Sequence, residues 1–390
     1  MAKLICSRCM AVHRESRHGR CPKCNLGPSR VYDFTNSDDY LKREIPRVLV
    51  ERKDLGLEGL VGGLDSVIIN TEPDQQRAWV EELLQYTGLQ LAGAFEGHQY
   101  KTCVLTAPGS ATFLVRSRKD PHNPYVEFNK SPKSQHLPNT RLETFVFQTT
   151  DIEKYLSIQK SRGVGFLTEG VHDGGDFLFI QTIPSSFTGN SLGFIQWTGE
   201  RGNYATAAGK VLDWPLKKPL GDYRKNIKEL DHTATRVRAQ DRDAAIIEFM
   251  ELTNYNFDFA IYVKLFSSIT NVARLSASDF AMVFTSGISP YIGDQESGPT
   301  EKFIHNYGTR VHHMAFHTEN IEDTFSALKQ NHLGFLIDLV GSPEQGLKQT
   351  FSQASTHTLL VSEYIHRYGD FEGFFTKDNV TLLTEATEVQ

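Results

Sequence analysis

The feature that most constrains this chain is internal repetition. Leu142 to Leu167 (LETFVFQTTDIEKYLSIQKSRGVGFL) aligns without gaps to Val311 to Leu336 (VHHMAFHTENIEDTFSALKQNHLGFL). The two segments share Phe, Thr, Ile-Glu, Ser, Lys and a closing Gly-Phe-Leu. A second pair matches Gly63 to Gly88 with Glu229 to Asn254. Four related units therefore follow one another as two halves in the same order, and a fold has to accommodate that order.

Each unit opens on a short β-rich run, such as Thr144 to Gln148 or His313 to His317, and continues into an amphipathic helix. Ile321, Phe325 and Leu328 in one copy hold the places of Ile152, Leu156 and Gln159 in the other. Further strand-like runs follow at Thr102–Thr106, Ala111–Val115, Phe177–Thr182, Phe280–Phe284 and Thr358–Ile365. The unit reads as βαβββ, and two units per half would curl their sheets around a shared pocket. The fold class expected is α+β, with paired βαβββ units forming two half-barrel domains.

Equivalent places in the two halves differ in one telling respect. Where the first half has Ser66, the second has His232, and where the first has Thr144, the second has His313. Near the last strand the first half offers Phe194-Ile195-Gln196, and the second offers Glu363. A lone strand histidine is more often structural than a ligand, but three matched differences at one end of equivalent strands point to a site. Two imidazoles and one carboxylate can bind one face of a metal and leave the other open, the ligand set of non-haem Fe(II) oxygenases. No cysteine lies near these three residues in sequence. Mn²⁺, Ni²⁺ and Zn²⁺ are alternatives for the same donors.

The N-terminus carries a different metal signal. Cys6-Ser-Arg-Cys9 and Cys21-Pro-Lys-Cys24 are separated by eleven residues rich in Arg and His. Two C-x-x-C turns can close a tetrahedral shell around a structural Zn²⁺. So short a segment, with few apolar residues, would need the metal to fold. His13 and His18 could stand in for a cysteine, and a redox pair is the alternative. Only Cys103 stands alone among the five cysteines.

Length sets the domain plan: 390 residues exceed one ordinary core. The expected division is a zinc-ribbon-like segment at 1–30, a linker at 31–56, a metal-free half at 57–200, a linker at 201–226 and a catalytic half at 227–390. A formal net charge of −6 disfavours nucleic acid as the main partner. No window approaches eighteen uninterrupted apolar residues, so no membrane span is expected. The N-terminus lacks an apolar signal-peptide core, and a cytoplasmic location is expected. A homodimer is compatible with all of this.

These residues resemble the vicinal oxygen chelate superfamily, and the second half is most similar to the 4-hydroxyphenylpyruvate dioxygenase family. Leu230-Asp231-His232 resembles the family's first-ligand strand, and Val311-His312-His313-Met314-Ala315 its Val-Gln-His-Ile-Ala motif. Glu363-Tyr364-Ile365-His366-Arg367 resembles its Glu-Ile-Ile-Gln-Arg motif. Leu347-Lys348-Gln349-Thr350-Phe351 resembles Leu-Leu-Gln-Ile-Phe, and Gly373-Phe374-Phe375 with Asn379 resembles the segment that caps the pocket. The resemblance covers about residues 57–390.

It implies an Fe(II) dioxygenase using O₂ and a 2-oxo acid, aromatic in the family, with decarboxylation and substrate hydroxylation. His232, His313 and Glu363 would be the ligands, and Gln349, Phe374, Phe351, Ser268, His312 and Asn379 the substrate-binding residues. The departures fall on the substrate side: Thr285-Ser286-Gly287 replaces an Asn-Glu-Pro turn, Gly298 stands where the family has Gln, and His312 replaces another Gln. The alternatives are an extradiol ring-cleaving dioxygenase with the same triad, or a non-catalytic ligand-binding protein recruited through the zinc segment.

Overall fold

The computed structural model describes residues 34–390 except 207, 208, 218 and 370, together with the backbone of 3–5, 12–14 and 30–31. At the N-terminus, Lys3–Ile5 pairs antiparallel with both Val12–Arg14 and Arg30–Val31. Cys6, Cys9, Cys21 and Cys24 lie outside the described residues, and the expected zinc site lies with them.

The four repeat units become two large sheets with one strand order. In the second half that order is Asn256–Val263, Ser268–Arg274, Ala281–Gly287, Ile227–Arg236, Arg310–Thr318, Val361–Arg367, Leu347–Phe351, Val340–Ser342. The first half repeats it as Gln90–Glu96, Tyr100–Thr106, Thr112–Arg118, Val61–Thr71, Arg141–Thr149, Ser191–Trp197, Phe177–Gln181, His172–Asp173, and adds a short edge strand at Lys210–Val211. Each half is two βαβββ units joined through their first strands, as the repeats predict. One expected strand moves: the run read as Thr358–Ile365 begins only at Val361. Ser355 to Leu360 form a turn closed by Leu359 N–H on Ser355 C=O, with Leu359 at φ +64°. That backbone cannot join the ladder.

The helices cover the sheets by burying one face each. In Gln76–Tyr86, Trp79, Val80, Leu83 and Leu84 are buried, and each such side chain contributes about 1.5–3 kcal/mol relative to exposure. The helix Ile152–Ser161 starts where Asp151 accepts a hydrogen bond from the Lys154 N–H at 3.0 Å, an N-cap on one of its orphan donors. A further helix, Asp39–Asp54, lies within the stretch read as a linker. Its Arg52 is buried and donates to the carbonyls of Thr253 and Tyr255, which fixes it to the second half. The C-terminal helix Lys377–Ala386, capped by the Thr376 hydroxyl, lies over the second sheet. Among the described residues, no helix is long and apolar enough to cross a membrane.

Candidate metal centre

The three candidate ligands converge because of strand register. His232 pairs across to Ala315, and Ala315 pairs on its other side with Glu363. The row His232–Ala315–Glu363 thus crosses three neighbouring strands, and His313 precedes Ala315 by two residues on the middle one. Alternation in a strand puts residues two apart on one face, so His313 joins the row's face. Ala315 is fully buried and is the small residue between two ligands.

The resulting geometry is tight. Glu363 Oε2 lies 3.2 Å from His232 Nε2 and 3.3 Å from His313 Nε2. One donor atom from each residue falls within 4.8 Å of the others, and all three side chains are buried. Yet His232 Nε2 and both Glu363 oxygens make no aligned hydrogen bond. Leaving such atoms buried and unpaired is costly, and a shared cation satisfies all of them. Two imidazoles and a carboxylate suit a divalent first-row metal.

The outer nitrogens are committed elsewhere, which settles the tautomers. His232 Nδ1 lies 2.7 Å from Asp231 Oδ1, so it carries the proton and Nε2 keeps its lone pair for a metal. Asp231 is itself held by Arg367 Nη1 and Nη2, at 2.6 and 3.0 Å. Burial opposes ionisation of Asp231, but its bonds to His232 and Arg367 hold the carboxyl well below the usual range. On the other side, His312 Nε2 is 2.8 Å from Gln390 Oε1, and His312 Nδ1 is 2.9 Å from His313 Nδ1. His312 therefore donates to the amide oxygen and accepts from His313, which frees His313 Nε2.

Two consecutive histidines reach one side because the strand is bulged. Ala234 pairs with His313 but Thr235 pairs with Val311, leaving His312 as the extra residue. The electrostatics of the two ligands then diverge. Burial would lower His232, but the charge of Glu363 and the bond to Asp231 raise it to about 9, so a metal bound at Nε2 would displace a proton from that nitrogen. Burial, with His312, His232 and Arg236 nearby, holds His313 well below its ordinary value.

A cavity of about 50 Å³ opens beside the triad. His313, Glu363, Gln349, Phe351, Ser268 and His312 line it, as the sequence leads one to expect. Phe374 and Asn379 do not. Phe374 packs edge-on against His232, with ring centroids 5.4 Å apart, beneath the Arg367 guanidinium. Asn379 is buried against the Leu347 carbonyl. Phe375 takes the wall position instead. Thr285, from the segment that departs from the family pattern, lines the cavity too, and Arg236, Thr270 and Thr300 are new to the site. Arg236 could have been found, because it lies four residues after His232 on the same strand and hence on the same face.

A larger cavity, about 380 Å³, lies between the halves and includes Phe145, Glu248, Phe249 and Met282. It contains none of the triad, so the chemistry and not the volume identifies the candidate centre.

The first half shows why it has no such centre. Ser191 pairs with Thr144 as Val361 pairs with His313, so the register makes Gly193 the counterpart of Glu363. The sequence comparison with Phe194-Ile195-Gln196 is thereby corrected by one to three residues. The corresponding row reads Ser66–Val146–Gly193. A Cβ on Gly193 would meet Phe179 at 2.9 Å and Val146 at 3.1 Å, so apolar side chains fill the space. Phe179 itself occupies the place of Gln349.

Comparison with known proteins adds to this geometry. Neither a scan against protein-family models nor a search of curated proteins finds a match. Among solved structures, a triple mutant of 4-hydroxymandelate synthase from Streptomyces coelicolor aligns at a TM-score of 0.64 and 17% identity, covering 85% of this chain and 99% of that one. A fusion of a xylose isomerase-like TIM barrel with 4-hydroxyphenylpyruvate dioxygenase aligns at 0.59 and 11%, covering 89% of this chain and 57% of the fusion. At such identities the likeness speaks for the architecture: the chain has the paired βαβββ fold that its resemblance to the vicinal oxygen chelate superfamily implies.

Proposed function

We propose that this protein is a non-haem Fe(II)-dependent dioxygenase acting on a 2-oxo acid, with His232, His313 and Glu363 as the metal ligands. The observation that carries the reading is the buried Glu363 carboxylate. Neither oxygen has a hydrogen-bond partner, and two imidazole nitrogens with fixed tautomers face it at 3.2 and 3.3 Å. Bound Fe(II) supplies the redox chemistry that couples reduction of O₂ to oxidative decarboxylation of the acid and hydroxylation of the substrate.

The chain's own residues do the rest. Asp231 and Arg367 hold the His232 ring in one orientation, and His312 does the same for His313. Both ends of the Gln349 amide are buried without a protein partner, and the side chain lines the cavity. That amide is available to orient a substrate by one donated and one accepted hydrogen bond. Phe351 and Phe375 form apolar wall on the ligand side and limit access of water. The unpartnered amide favours an oxo acid with polar atoms over a catechol ring as the ligand.

Anaerobic Fe(II) loading followed by titration with 2-oxo acids tests the reading. A visible charge-transfer band on binding, then O₂ uptake matched by CO₂ release, is the expected result. Binding of catechols with ring cleavage, and no response to any 2-oxo acid, would replace it with the ring-cleaving alternative.

A further inference from the structure

The cavity holds a positive charge that nothing in the described protein neutralises. Arg236 is 4% exposed and lines the cavity together with His313, Glu363 and Gln349. No acidic side chain among the described residues forms an ion pair with it. Its contacts are the Pro299 carbonyl, 3.5 Å from Nη1, and the Phe303 ring, 4.4 Å from the guanidinium carbon. Two other buried arginines have acidic partners: Arg242 bonds Asp38, Asp243 and Asn271, and Arg118 bonds Glu143. Arg141 and Arg310 bond carbonyls and an amide oxygen instead, as Arg236 bonds a carbonyl, but neither lines this cavity.

The repeat sharpens the contrast. Strand register makes Asn70 the first-half counterpart of Arg236. Asn70 is neutral, and its amide donates to the Asn139 carbonyl at 2.9 Å. The second half thus keeps a costly buried guanidinium where its twin manages with an amide. Around it the cavity is lined by hydroxyls, and that of Thr285 is buried without a partner. A guanidinium with free donors in such a setting matches a carboxylate.

We infer that Arg236 recognises a second anionic group on the substrate, so that the acid bound here is a compact dianion with a carboxylate opposite its 2-oxo acid end. The inference rests on the proposed site for its chelating end but not for its distal end. It also runs against a phenol or plain aryl group at that end. The cavity is about 50 Å³, whereas a benzene-sized space is on the order of 150 Å³. A short aliphatic chain would displace the walls less.

The test compares acids of equal backbone length. Fe(II)-loaded protein, kept anaerobic, is titrated with 2-oxoglutarate against 2-oxovalerate, 2-oxoadipate against 2-oxohexanoate, and 4-hydroxyphenylpyruvate alone. A charge-assisted contact predicts that each dianion binds about 10–100-fold more tightly than its methyl-ended twin. Arg236→Gln should erase that preference, and Arg236→Lys should restore part of it. In parallel, metal-free protein is melted with glutarate or pentanoate; glutarate should raise the midpoint of wild type but not of Arg236→Gln. The metal-free arm separates the two readings. If the iron proposal fails, glutarate still stabilises through Arg236 while no 2-oxo acid turns over. Equal binding of dianions and monoanions by wild type, with no glutarate effect, overturns the inference and leaves Arg236 as a support for Phe303. That outcome is readable even if the variants fold poorly.

Discussion

Gly193 stands in the first sheet where Glu363 stands in the second, and the residue between each of them and the first strand changes in the opposite sense. Val146 fills the middle of the first row, and Ala315 leaves it open in the second. One scaffold thus gives an apolar core in one copy and a candidate metal site in the other, by exchanging side-chain volume for donors.

That exchange predicts the effect of reversing it. Ala315→Val should place a branched side chain between His232 and Glu363, costing about 1–3 kcal/mol by overpacking. It should also weaken metal binding by more than about tenfold, because ligands displaced by half an ångström no longer match one ion. Calorimetric metal titration of the folded variant reads this. Unchanged affinity would show that the row does not set the spacing.

The first-half positions should behave as core, not site. Gly193→Ala should destabilise by about 1–3 kcal/mol, since the new methyl meets Phe179 and Val146. Ser66→Ala should be neutral or mildly stabilising, because the Ser66 hydroxyl is buried without a partner. Denaturant melts of both variants check the pair, and neither should alter metal stoichiometry.

The support behind His232 gives a third expectation. Asp231→Asn keeps the volume but removes the charge shared between His232 and Arg367. Loss of such an orienting carboxylate typically costs about 10–100-fold in metal affinity. A variant that is folded but binds metal as tightly as wild type would count against the arrangement.

Much of this was legible in the sequence, for a physical reason. Repeats constrained to one sheet order keep their hydrophobic spacing, so gapless alignment carried His232 onto Ser66 and His313 onto Thr144, as register confirms. Glu363 was harder to match, because the second half is one residue longer between the aligned helix segment and the strand Leu347–Phe351, so strand pairing and not gapless alignment identifies Gly193. Phe374 and Phe375 are neighbours with no periodic context, so sequence could not say which faces the cavity. Arg236 was overlooked although its period-two spacing from His232 was visible, since a basic residue does not read as a core position.

A pH effect follows from a pair outside the centre. The hydrogen bond between His317 and Glu229, 2.9 Å long, raises His317 above 6.5 and lowers Glu229 below 4.5. The histidine's contribution is complete below 6.5 and is lost as pH rises through its folded value. The carboxylate's is complete above 4.5 and is lost as pH falls through its own. The pair should therefore stabilise most between those limits, by no more than about 1 kcal/mol given its partial exposure. Comparing wild type with His317→Gln in denaturant at pH 5.5 and pH 8.5 should show the difference shrinking at the higher pH.

The central claim is that His232, His313 and Glu363 hold one catalytic metal, and anaerobic Fe(II) titration of wild type beside Glu363→Ala tests it most directly. The account predicts one Fe(II) per chain at this centre in wild type, a charge-transfer band when a 2-oxo acid is added, and loss of both in a Glu363→Ala protein that still melts cooperatively. Equal Fe(II) binding and an unchanged band in Glu363→Ala would contradict it.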